Sequence, residues 1–73
     1  MDFEKVCRLV IDKDYTSLKN ELINAQPYDI AEFIDTLEGK QALLVFRLLP
    51  KEVAVNVFAH LSTERQAELS EHI

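Results

Sequence analysis

Apolar residues return along this chain at a fixed step of 12: Leu37, Leu49, Leu61 and Ile73. The same step links Ile34, Phe46 and Phe58, then Phe33, Val45, Val57 and Leu69, then Ile30, Ala42 and Ala54. Twelve residues hold one helix of about three turns and a tight connection. A helix that short cannot cover its own apolar face, so its neighbours must, which is the logic of a helical solenoid. The pattern predicts an all-α chain, a solenoid-like array of about six short helices. Arrays of this kind usually bind partners, so the repeat points to an interaction or regulatory module and away from an enzyme.

The elements follow from periodicity and punctuation. Residues 2–12 form a first helix, with Phe3, Val6, Cys7 and Val10 at i, i+3, i+4, i+7 and Asp2 and Glu4 at the positive end of its dipole. Asp14 is placed to cap a second helix over 15–25, with Tyr15, Leu18, Leu22 and Ala25 on one side. Pro27 suits the first position of a third helix, which runs to about Leu37 with Gly39 as its C-terminal cap. A fourth helix over 40–49 is apolar nearly all round, because Leu44 and Leu48 stand opposite the repeat face, so burial on two sides is expected. Pro50 opens a fifth over 51–61, and Ser62 caps a sixth over 63–72. In the sixth the repeat weakens to Gln66 and Ser70. Ile73 falls on a core position, which reads as a cut inside a longer protein.

At 73 residues the chain is one domain or part of one, spanning 1–73. A core of this size is worth roughly 3–5 kcal/mol net. Cys7 is the only cysteine, which excludes an internal disulfide and fits a reducing compartment. A net charge of −5 without a basic run makes a poor nucleic-acid binder. The first residues lack the basic and apolar regions of a secretory signal, and no apolar run is long enough to span a membrane. The expected setting is cytoplasmic.

Candidate chemistry is sparse. Glu21, Asp29, Glu32, Asp35 and Glu38 lie between Lys19 and Lys40 with no cation among them. A magnesium ion takes one or two carboxylates and keeps several waters, so Asp29, Glu32 and Asp35 are candidate ligands; the plainer reading is the solvated face of an amphipathic helix. Glu52, Asn56 and His60 form a line at i, i+4, i+8. Its ends are about 12 Å apart, too far for one ion. His60 and His72 make no zinc pattern, Ser17, Ser62 and Ser70 lack a nucleophile context, and Cys7 on an apolar face reads as a buried thiol. Leu44, Leu48, Val53 and Val55 exceed what one stripe needs; burial within the array is the expected account, a partner patch the alternative.

Leu18-Lys19-Asn20-Glu21-Leu22, Pro27-Tyr28-Asp29-Ile30-Ala31-Glu32 and Leu37 resemble the opening of the cytosolic N domain of MgtE-type magnesium transporters. Phe46-Arg47-Leu48-Leu49-Pro50-Lys51-Glu52, Ala54, Val57-Phe58, His60-Leu61-Ser62 and Gln66-Ala67-Glu68-Leu69 are similar to the family's next stretch. The resemblance implies a right-handed superhelix of short helices preceding paired CBS domains and a dimeric transmembrane channel. It implies Mg²⁺ sensing, with ions between the N and CBS domains holding the closed state. It implies no enzymatic activity. The partners would be the CBS and transmembrane domains of the same homodimeric protein, at the cytoplasmic face of the membrane. Asn56 occupies a position where the family usually carries an ion-facing glutamate, and an amide binds Mg²⁺ more weakly. Tight Mg²⁺ binding by this chain alone is not expected, nor is transport. The alternative is a structural assembly module resembling the helical repeats of the G-type flagellar motor switch protein, which stack with no ion involved.

Overall fold

In the computed structural model, which describes residues 1–71, the described chain is all-α. Six helices follow in order: α1 Phe3–Ile11, α2 Tyr15–Ile23, α3 Pro27–Asp35, α4 Gly39–Leu48, α5 Lys51–His60 and α6 Thr63–Ser70. Their first residues are 3, 15, 27, 39, 51 and 63, so the step of 12 extends through α1 and α2, further than the apolar pattern revealed.

Side chains start three of the helices. The Asp2 carboxylate accepts from the Lys5 N–H at 3.1 Å, Asp14 from Ser17 N–H at 3.3 Å and Ser62 Oγ from Arg65 N–H at 3.2 Å. Each satisfies a donor with no partner inside the helix. Pro27 sits at the first turn of α3, where its missing N–H costs nothing. The end of α1 is tighter. Lys13 N–H donates to Val10 O and Asp14 N–H to Leu9 O, while Lys13 takes a left-handed φ of 58°. This is the paired closure usually made by glycine, adopted here by a lysine.

Gly39 does not cap α3. That helix ends at Asp35 with Thr36 as its cap, whose hydroxyl donates back to the Phe33 carbonyl at 2.6 Å. Gly39 is the first residue of α4, and a methyl at its Cα would stand 2.9 Å from Glu68 Oε2. Close approach, not a left-handed turn, is what a glycine permits here.

The repeat explains the core. Val6, Leu18, Ile30 and Ala42 occupy one register and are all buried, as are Val10, Leu22 and Ile34 in a second. Phe33, Val45, Val57 and Leu69 fill a third and are fully buried. α3 is the central element, packed against α4 and α5, while α1 packs on α2 and α6 on α4. The Phe3 ring lies 6.2 Å from that of Phe33, tying α1 to this centre.

Three expectations change. Cys7 is exposed, not buried. Its register is exposed at Lys19, Val55 and Ala67 but buried at Ala31 and half-buried at Leu43, so the outward face is set by the helices that pack on each element and not by the register alone. Val55 stays 63% exposed, against the expected burial within the array. Leu44 and Leu48 are half-buried; Leu44 lies in the register of Arg8, Asn20, Glu32, Asn56 and Glu68, an otherwise polar row. Phe46 and Phe58 pack on the core but are only half-buried. His72 and Ile73 lie outside the described residues.

Candidate functional site

Two surface features stand beside the core, one polar and one apolar. The polar one is a recess of about 380 Å³ lined by Asp35, Glu38, Gly39, Ser62, Glu64, Arg65 and Glu68, with Leu37 at its wall. Arg65 fills its base, with a side chain only 11% exposed. Its guanidinium lies 3.9 Å from Asp35 Oδ1 and 2.5 Å from Glu68 Oε1, and donates to the carbonyls of Asp35 and Leu37. The Ser62 N–H and hydroxyl both donate to the Asp35 carboxylate, at 3.2 and 3.1 Å.

That network includes one candidate ligand. The Asp35 carboxylate is engaged by Arg65 and Ser62. Asp29, half-buried, and Glu32, exposed, are the α3 carboxylates that stand outside this network. Glu21 is paired with Lys5 at 2.8 Å. The Glu21 hydrogen bond and its charge hold the Lys5 ammonium above its ordinary value. Among the described residues, no three histidine, cysteine or carboxylate side chains gather closely enough to cage a metal ion.

On α5, Glu52, Asn56 and His60 are all exposed. Asn56 shares its register with Glu32, 24 residues earlier, and α3 and α5 are packed together. His60 meets the exposed Tyr28 ring edge-on, with centroids 6.1 Å apart. Ser17 and Ser62 serve as cap-region groups, and Ser70 is exposed.

The apolar feature is an open groove of about 410 Å³ formed by Phe46, Lys51, Ala54, Val55 and Phe58. The Phe46 and Phe58 rings are 6.1 Å apart and tilted by 56°. Both occupy the register that is covered at Val10, Leu22 and Ile34, so the groove is the uncovered continuation of a stripe that is core in the first three helices.

The sequence reading missed Arg65 and Gln66. Gln66 was marked as a lapse in the repeat, yet its amide donates to the Phe58 carbonyl at 2.7 Å. The one available signal was the Arg65–Glu68 spacing of three, which is too common to single out a buried cation.

The described residues form an all-α array of short helices with an acidic surface. Comparison with known families narrows this further: residues 25–73 match the model of the MgtE intracellular N domain. Over 55 residues, 75% of this chain, it is 40% identical to the magnesium transporter MgtE of Thermus thermophilus. The chain belongs to the MgtE N-domain family, a transporter-associated domain. The aligned part amounts to 12% of that relative's length. Among the described residues no helix is long and apolar enough to cross a membrane.

Proposed function

We propose that this chain acts as the regulatory, non-enzymatic N domain of a magnesium transporter, helping to set the gate by docking on CBS domains when Mg²⁺ is bound between them. The family match over residues 25–73 carries the reading. The exposed row of Glu32 and Asn56, on two helices packed together, supports it. A surface offering one or two oxygen ligands binds Mg²⁺ weakly alone and better when a second acidic surface completes the shell. Without the ion the two acidic surfaces repel, and at a net charge of −5 this domain contributes to that repulsion. Mg²⁺ then favours the docked arrangement because that arrangement binds it better. In this reading the domain works within a homodimeric protein, at the cytoplasmic face of the membrane, alongside the channel domain that conducts the ion.

Asn56 sets the sensitivity. A neutral amide at the ion-facing position weakens binding relative to a carboxylate, so this member needs more Mg²⁺ to close. The experiment places residues 1–73 on the CBS and channel portion of a family transporter in liposomes, with Asn56 or with Asn56→Glu. The Glu variant should close at a lower Mg²⁺ concentration. Identical closure curves for the two would remove Asn56 from the ion-facing surface.

A further inference from the structure

We propose that α6 is a polar clasp that opens as a unit while α3, α4 and α5 stay folded, and that Arg65 is the residue that positions it. The observation is what holds α6 in place. It buries one apolar side chain, Leu69. Its other attachments among the described residues are polar, and each meets the end of a different helix. Arg65 donates to the Asp35 and Leu37 carbonyls, at the negative end of α3. Gln66 donates to the Phe58 carbonyl in the last turn of α5. The Glu68 carboxylate stands against Gly39, the first residue of α4, which has no side-chain cap of its own.

The Asp35 carbonyl and the α4 N-terminus are groups that helices leave unsatisfied, and the Arg65 and Glu68 charges sit with the correct sign for each dipole; the Phe58 carbonyl takes the Gln66 amide in addition to the Leu61 N–H. Water can replace such contacts when α6 lifts, whereas nothing replaces the burial of Ile30, Phe33 and Ile34. The free energy to release α6 is therefore well below that of global unfolding. Arg65 dominates because its side chain is nearly buried and its charge is balanced by Asp35 and Glu68. Replacing it removes the side-chain donor to the Asp35 and Leu37 carbonyls and leaves the Asp35 carboxylate to Ser62 alone.

Native-state hydrogen exchange on the wild type, Arg65→Met and Gly39→Ala tests this. In the wild type, α6 amides should exchange at least about tenfold faster than those of Ile30–Ile34 and Val57. Arg65→Met should raise α6 exchange a further several-fold to about tenfold, on the order of the loss of its hydrogen bonds to the Asp35 and Leu37 carbonyls, and leave α3 unchanged. Gly39→Ala adds a methyl against the Glu68 carboxylate while improving helix propensity in α4, so it tests the clasp in a variant whose fold is not at risk. It should speed α6 exchange several-fold without weakening α4. The proposal fails if wild-type α6 exchanges at the α3 rate. It also fails if Arg65→Met accelerates α3 and α6 in parallel, or if α6 exchange is the same in all three proteins.

Discussion

Phe33→Ala should abolish the folded state, while Phe58→Ala should only weaken it. Phe33 is fully buried at the centre of α3, the helix on which α4 and α5 both pack, and its ring meets Phe3 from α1. Truncating a phenylalanine there removes its transfer free energy and leaves a closed cavity, together about 3–5 kcal/mol. A domain of this size has roughly 3–5 kcal/mol in total. Phe58 has the same chemistry but borders an open groove and is half-buried. Part of its surface is already in water and no sealed void forms, so about 1–2 kcal/mol is the expected loss. Urea titration followed by far-ultraviolet circular dichroism separates the cases. Phe58→Ala should keep a cooperative transition at a reduced midpoint, and Phe33→Ala should show no folded baseline. A Phe33→Ala midpoint near that of the wild type, or a Phe58→Ala protein that is unfolded in buffer, would refute this description of the core.

Two further outcomes follow from local geometry. Lys13→Gly removes the steric cost of a left-handed residue at the end of α1 and should raise stability by about 0.5–1 kcal/mol in the same titration, after the greater flexibility of glycine in the unfolded chain is counted; a loss would mean that Lys13 is not left-handed in solution. Cys7 should react completely with a thiol reagent in the native protein at the rate of a free cysteine, and protection until denaturant is added would place it back in the core.

The helices were legible because their punctuation is local. Pro27, Asp14 and Ser62 each mark a helix start through their own backbone or side-chain chemistry, and each stands where it was expected. Gly39 misled because glycine suits both a helix end and a close approach, and only the position of Glu68 distinguishes them. The step of 12 would have decided it, since Gly39 stands in register with Pro27 and Lys51, both helix starts. Cys7 misled for a related reason. Its apolar neighbours satisfied the helical template, but the face turned outward is set by which helices pack on which, and the same register is exposed at Lys19 and Ala67 yet buried at Ala31.

The candidate site was less legible. The acidic residues were visible as a group, but their separation into engaged and unengaged members depends on Arg65 crossing from α6 to the end of α3, 30 residues away along the chain. No local pattern encodes a contact at that distance. The apolar groove departs from the expected burial of Leu44, Leu48, Val53 and Val55 within the array: of these only Val55 lines it, beside Phe46, Ala54 and Phe58 from the repeat face.

The central claim is that Mg²⁺ acts at a surface shared between this domain and CBS domains. The most direct measurement is a nuclear magnetic resonance titration of the labelled chain with Mg²⁺, alone and with a CBS pair from a family transporter. With Mg²⁺ alone, shifts should be small and non-saturating; with the CBS pair present they should saturate at lower Mg²⁺ and centre on the Glu32 and Asn56 row. Saturation at micromolar Mg²⁺ without the pair, or docking that ignores the ion, would contradict the account. Ion-independent stacking of the chain on its own copies would favour an assembly module instead.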